Sequence, residues 1–129
     1  MTAALQAYIE GWLKKADHDI ISAQRLLEIE PMILDSACFH SQQAIEKSLK
    51  AFLAFNEHDF EKNHNIILLL AQCADFDPVF ASIDPLNLNA YAVQGRYPDA
   101  NLLPTPDEAK TYYKLALEIR KIVAERIKF

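Results

Sequence analysis

The sequence predicts an all-α protein, an up-and-down bundle of four to five helices. Apolar residues recur at three- and four-residue steps over most of the chain, which is the spacing of one helix face. Only 2 of the 129 residues are glycine, and no β-branched run alternates with period two, so a sheet is disfavoured. Connections between the helical patterns are short, as in antiparallel bundles. The length fits a single domain over residues 1–129.

The first two helical patterns are long and have clear end signals. The first runs from about Thr2 to Glu30 and stops before Pro31, which cannot continue a helix. The second runs from about Asp35 to Asn56, with Asp35 and Ser36 as candidate N-caps. One face of the second helix is lined by small residues, so we expect another helix to pack closely there, from this chain or a second copy. These residues are Ala37, Ser41, Ala44, Ser48 and Ala51.

The second half of the chain predicts shorter helices and one longer closing helix. The third helix covers about Asn65 to Ala74. The fourth is broken, because Asp77-Pro78 and Asp84-Pro85 each predict an N-cap followed by proline at the first helical position. Its second piece is expected to end at Gly95. The last helix opens with TPDE at residues 105–108, the pattern of a capping box.

Composition and charge exclude several classes of protein. The net charge of −5 argues against broad, non-specific nucleic-acid binding, although a local basic patch is compatible with it. Cys38 and Cys73 form neither a metal-ligand spacing nor a disulfide framework, so we expect a reducing compartment, the cytoplasm. We expect no membrane span and no signal peptide. We predict no metal site and no cofactor, because no histidine pair or glycine-rich phosphate loop is present.

Two polar residues interrupt the apolar pattern of the first two helices. At 100° per residue, Asp19 and Gln42 both fall inside apolar arcs. A buried carboxylate or amide is costly unless it is hydrogen-bonded, so both need partners. We expect those partners to be each other, or a lysine or arginine from elsewhere. The favoured role is a structural network that fixes helix register.

The opposite arc of helix two carries His40, Gln43, Lys47 and Lys50. One imidazole, one amide and two ammonium groups on adjacent turns suit a phosphate and a base. The alternative is a solvated face without a ligand, which is the usual meaning of charge at helical spacing.

A second candidate group lies in residues 91–99, YAVQGRYPD. Arginine pairs with phosphate in a fork and tyrosine stacks on bases, so Arg96 and Tyr97 are candidate ligand contacts. Alternatively, Arg96 pairs with a surface carboxylate and Tyr97 belongs to a plain loop. A structural role is favoured for His64, which lies just before helix three, and His18 and His58 are predicted at the surface.

These residues resemble the HEPN family, the small helical domains named for higher eukaryotes and prokaryotes nucleotide-binding. Residues 39–53, FHSQQAIEKSLKAFL, resemble the signature helix of that family. Residues 12–27 resemble its first helix with an inward aspartate, here Asp19; residues 62–64 resemble the start of its third helix. Residues 91–99 resemble its Tyr…Arg-Tyr-Pro turn. The resemblance implies a helical bundle, often a homodimer, paired with a minimal nucleotidyltransferase as toxin and antitoxin or as substrate-binding and catalytic subunits.

Many HEPN proteins are ribonucleases whose active site is an arginine followed four to six residues later by a histidine. No arginine of this sequence is followed by a histidine at that spacing. The resemblance therefore implies a non-catalytic domain that binds a nucleotide or an RNA end. Lys47, Lys50 and Arg96 would meet phosphate, Tyr97 would stack on a base and Gln43 would read its edge.

Two other functions remain open at this point. One is a metal-independent ribonuclease with a rearranged site, in which His64 or His40 acts as general base and Arg96 stabilises the developing charge. The other is a pure interaction module whose polar face binds only a protein partner.

Overall fold

The computed structural model describes residues 1–60, 62–86 and 103–129. The regular structure in these ranges is helical. These ranges hold four α-helices, one 3-10 helix and no strand, so the all-α bundle is confirmed. The α-helices are α1 (Ala3–Glu28), α2 (Leu34–Phe55), α3 (Ile66–Ala74) and α4 (Pro106–Arg126), and the 3-10 helix is Pro78–Ser82.

The ends of α1 follow local signals. The Thr2 side chain accepts a hydrogen bond from the Leu5 backbone N–H at 3.0 Å and caps the helix. After α1 ends at Glu28, the backbone N–H of Ile33 donates to the Leu26 carbonyl at 3.0 Å. This bond closes a tight connection, so α2 folds back along α1 and the polar residues of the two helices come to face each other.

The central helix of the bundle is α2, which packs against α1, α3 and α4. Its small-residue face is fully buried within the chain, because side chains of this size let neighbouring helices approach closely. The buried small residues are Ala37, Ser41, Ala44, Ser48 and Ala51. The sequence left open whether this face packs against a helix of the same chain or of a second copy. In the structure it packs within the chain, so a second copy cannot reach it.

The Asp77-Pro78 pair begins a short 3-10 helix rather than a long α-helix. The Asp77 carboxylate accepts from the Val79 N–H at 3.0 Å, and Pro78 follows at the first helical position, as predicted. The element they begin is a five-residue 3-10 helix and not an α-helix. Asp84 accepts from the Leu86 N–H at 2.9 Å. The predicted continuation to Gly95 lies outside the described residues.

The closing helix α4 begins with the predicted capping box. Thr105 Oγ1 accepts from the Glu108 N–H at 3.1 Å, and Glu108 Oε1 accepts from the Thr105 N–H at 3.1 Å. Further along, Arg120 forms a two-pronged ion pair with Asp17 of α1 at 2.7 and 3.1 Å. The helix is therefore fixed at its start by its own sequence and in its second half by contact with α1.

The two cysteines, Cys38 and Cys73, are both buried and unpaired. Burial raises the pKa of each thiol to about 12, so neither is a reactive nucleophile at neutral pH. No helix in the described ranges is long and apolar enough to cross a membrane. Across those same ranges, no group of three or more histidine, cysteine or acidic side chains is arranged to hold a metal ion.

Candidate functional site

The buried carboxylate of α1 is held by two side chains of α2. Asp19 Oδ1 lies 2.8 Å from His40 Nδ1, and Asp19 Oδ2 accepts from Lys47 Nζ at 2.5 Å. His40 and Lys47 lie two turns apart on one side of α2, which brings both within reach of the same carboxylate. The burial predicted for Asp19 is confirmed, and its partners are a lysine and an imidazole rather than Gln42. We call these three residues the Asp19 cluster.

A second carboxylate, on α2 itself, has the same kinds of partner. Glu46 Oε2 accepts from Lys50 Nζ at 3.2 Å and lies 3.0 Å from His64 Nδ1. Lys50 Nζ also lies 5.4 Å from the ring centroid of Trp12 and 5.5 Å from that of Phe60, within range of cation–π attraction. We call Glu46, Lys50 and His64 the Glu46 cluster.

Two adjacent glutamines extend the polar network of α2. Gln43 Nε2 donates to Gln42 Oε1 at 2.8 Å, and Gln42 Nε2 lies at the long limit of 3.5 Å from Glu46 Oε1. Gln42 is fully buried, as the helical wheel predicts, and Gln43 is half-buried. Gln42 is thus satisfied by its neighbours on α2 and has no bond to Asp19.

The structure separates the four residues that the sequence places on one polar arc of helix two. His40, Gln43 and Lys47 are half-buried and reach solvent beside α1. Lys50 does not share that surface, because only 4% of its side chain is exposed. The rings of Trp12 in α1 and Phe60 in the α2–α3 loop lie beside its ammonium group, while Glu46 compensates its charge. The expectation that Lys50 lies with Lys47 on an open face is therefore wrong.

The other two predicted contacts, Arg96 and Tyr97, lie outside the described residues. Their predicted roles at a phosphate and a base stay predictions.

His64 has a position that the sequence did not indicate. The residue that caps α3 is Asn65, whose side chain accepts from the Leu68 N–H at 3.3 Å. His64 is bonded to Glu46 through Nδ1, yet 70% of its side chain is exposed. The two residues are 18 positions apart, and no local pattern connects them. Of the other histidines, His18 is exposed as predicted, and His58 is half-buried against Phe76.

The electrostatics of the two clusters differ from a simple basic patch. In each one, the lysine charge is balanced by the carboxylate that it contacts. When its imidazole is neutral, a cluster has no net charge. When the imidazole is protonated, the cluster has a net charge of +1. The arrangement presents imidazole Nε2 atoms and, at the Asp19 cluster, a half-buried ammonium. Such groups bind anions and transfer protons.

Within the described residues, the two clusters reach solvent through Lys47 and through the rings of His40 and His64. A cavity of about 510 Å³ between the start of α1 and the end of α2 is lined by other residues, among them Tyr8, His58 and Phe60. Enclosed apolar cavities are typical of small-molecule sites. The half-buried His40 and Lys47 and the exposed His64 ring instead suit a ligand bound mainly through its charged groups.

Comparison with known proteins supports one family over nearly the whole chain. The family model for the HEPN domain matches residues 9–127, which include every residue of both clusters. The crystal structure of an archaeal HEPN homologue is similar to this chain with a TM-score of 0.65 and 26% sequence identity. The similarity covers 93% of this chain and 98% of that one. A comparison with curated proteins gives no match.

Proposed function

This chain belongs to the HEPN domain family, and we propose that it is a member that binds a nucleotide or RNA without cleaving it. In this proposal it works beside a minimal nucleotidyltransferase, as substrate-binding subunit or as one half of a toxin–antitoxin pair. The observation that carries the proposal is the Asp19 cluster, where His40 and Lys47 are held side by side at a partly open surface.

The Asp19 cluster suits a phosphate because its donors are already oriented. An ammonium group has three N–H donors, so Lys47 keeps donors for a ligand while it contacts Asp19. His40 engages Asp19 through Nδ1 and keeps Nε2 for the ligand, to which it donates when the ring is protonated. Ordering these side chains before binding lowers the entropy that binding must overcome. Gln43 lies one turn away to read a base edge, and Arg96 and Tyr97 are the proposed further contacts.

Calorimetry with ATP, GTP and a short RNA tests this proposal. Lys47→Glu and Arg96→Glu should each weaken binding, whereas Lys14→Glu, at an exposed position of α1, is the matched control and should change it least. Added salt should weaken binding by wild type, because phosphate contacts release counterions. No detectable heat with any ligand at millimolar concentration, or equal binding by all three variants, would contradict the proposal.

Ribonuclease activity is the second candidate, and one observation favours it. His40 and His64 are each bonded to a carboxylate through Nδ1, the arrangement that orients a general acid or base. Against it stands the absence of the arginine–histidine spacing of HEPN ribonucleases. We therefore expect an end-labelled single-stranded RNA to stay intact with excess protein, with or without Mg²⁺. Cleavage that is lost in both His40→Ala and His64→Ala would replace the binding proposal with the enzyme.

The proposed assembly is a symmetric homodimer, which is common in the family. Because the small-residue face of α2 is buried, the dimer must use another surface. Exposed apolar side chains such as Ile21 on α1, Ile67 on α3 and Leu117 on α4 are the available candidates. Light scattering on a sizing column decides the question, and a single species at the monomer mass of 14.7 kDa at low micromolar concentration would contradict it. The two unpaired thiols fit the proposed cytoplasmic location.

A further inference from the structure

The two clusters repeat one arrangement of groups. In each, a carboxylate accepts a hydrogen bond from a lysine Nζ and lies within hydrogen-bond distance of a histidine Nδ1. Because each ring uses Nδ1 toward its carboxylate, the Nε2 atom of each ring faces away from that carboxylate. These rings are the accessible parts of the clusters, with 31% of the His40 side chain and 70% of the His64 side chain exposed.

The clusters also lie along the same stretch of α2. Positions 40 and 46 are separated by about 9 Å along the helix axis, at 1.5 Å per residue. Gln43 lies midway between them and is half-buried. In addition, α3 begins at Ile66, and the partial positive charge of a helix N-terminus adds to the attraction that an anion meets near His64.

We propose that His64, positioned by Glu46, forms a second phosphate subsite beside the subsite of His40 and Lys47, and that each subsite binds its phosphate with uptake of a proton. This inference rests on the proposed function and deepens it. Two subsites placed one after the other along α2 suit a ligand whose phosphates are spread along its length, rather than the directly linked phosphates of a nucleoside triphosphate. The ligand class is therefore a single-stranded polynucleotide, and Lys50 acts by balancing Glu46 and not by touching phosphate.

Proton uptake follows from the charges that face each imidazole. His40 faces the Asp19 carboxylate from α1, with Lys47 and the Phe39 ring from its own helix. His64 faces Glu46 and, through it, Lys50. Each carboxylate is already balanced by a lysine, so a subsite becomes positive only when its imidazole gains a proton. Imidazole is the side chain that changes charge in the physiological pH range, so binding should strengthen as the pH is lowered from about 7.5 to 5.5.

The test compares ligands that carry one or two phosphodiesters. A dinucleoside monophosphate and a trinucleoside diphosphate, in ribose and deoxyribose forms, are titrated into the full chain by calorimetry at both pH values. Repeating the titration in buffers of different ionisation enthalpy measures the protons taken up. Wild type should bind the two-phosphate ligand more tightly and take up more protons with it. Ribose and deoxyribose ligands that behave alike would assign the recognition to phosphate.

Substitution of the exposed imidazole separates the subsites. His64→Ala should weaken the two-phosphate ligand about tenfold, leave the one-phosphate ligand unchanged and reduce the proton uptake. His40→Ala should weaken both ligands, and His18→Ala, at an exposed histidine of α1, is the matched control.

The outcomes distinguish this inference from the proposed function. If wild type does not discriminate between the two ligands, or if His64→Ala binds the two-phosphate ligand like wild type, the second subsite is wrong. The proposed function then still stands if Lys47→Glu weakens binding. If proton uptake is unaffected by His64→Ala, the proton-coupled role is wrong. If neither ligand binds, both proposals fail.

Discussion

The Asp19 cluster and the Glu46 cluster contain the same three groups but differ in how much water reaches them. Lys47 of the first cluster is 21% exposed, whereas Lys50 of the second is 4% exposed. The difference reverses at the imidazoles, because His64 is the more exposed of the two rings. The Asp19 cluster is therefore a buried carboxylate with a half-buried lysine and imidazole, and the Glu46 cluster is a dry ion pair with a single exposed ring.

This difference in solvent exposure changes how much the same kind of ion pair contributes to the free energy of unfolding. Water reaches Lys47 and His40 and can replace a lost partner there, so the Asp19 cluster should contribute less to stability than a fully buried ion pair. A dry pair has lost its hydration, and removal of one partner leaves the other charge buried without its ion-pair partner. We therefore expect the Glu46 cluster to contribute more to the free energy of unfolding and the Asp19 cluster to contribute more to ligand binding.

The largest expected effect is that of Lys50→Met. It leaves the Glu46 carboxylate buried without its ammonium partner and should cost about 3–5 kcal/mol of unfolding free energy. Lys47→Met is the matched control and should cost about 1 kcal/mol or less. Urea denaturation of both variants measures the difference. Combining Lys50→Met with Glu46→Gln should recover much of the loss, and equal losses for the two lysine variants would remove the distinction between the clusters.

Asp19→Leu should have the next largest effect. It removes the shared acceptor of His40 and Lys47 and should cost about 1–3 kcal/mol, less than Lys50→Met because both partners can turn to water. Thermal unfolding measures the loss. A cost above that of Lys50→Met would show that the Asp19 cluster is the stronger structural element.

Gln42→Leu tests the connection between the clusters. It leaves Gln43 without its acceptor and Glu46 without its third contact, so we expect a loss of about 1–3 kcal/mol. Gln43→Leu, at a half-buried position, should cost less and is the control. If thermal melts of Asp19→Leu and Gln42→Leu both match wild type within error, the buried polar residues have no structural role.

Asp77 gives the smallest expected effect and lies outside both clusters. The Val79 N–H and then Arg126 lower the pKa of its carboxyl group below the usual value of 3.8. A lowered folded-state pKa adds stability above the unfolded pKa and loses it as the pH falls through the folded pKa. Asp77→Asn keeps an acceptor for Val79 and should destabilise slightly at pH 7, with the difference vanishing in stronger acid. Melting temperatures between pH 7 and pH 2.5 measure this, and a constant difference would contradict it.

The sequence by itself determined most of the helices and the residues that needed partners. The start of α2 is an exception, because the helix begins at Leu34 after Ile33 and the predicted caps Asp35 and Ser36 lie inside it. The caps at Asp77 and Thr105 depend on neighbours two or three positions away, and the burial of Asp19 and Gln42 depends on the helical period. All of these are local properties of the chain. They were predicted correctly because helix geometry fixes them before any helix packs on another.

Only the tertiary structure decided which polar groups meet. Asp19 contacts residues 21 and 28 positions away, and Glu46 contacts His64 across a loop. The burial of Lys50 depends on the rings of Trp12 and Phe60, which its own helix does not contain. A helical wheel gives the direction of a side chain but not what lies opposite. A buried lysine and an exposed one therefore look alike in sequence, and the packing of α1 and the α2–α3 loop against α2 makes them different.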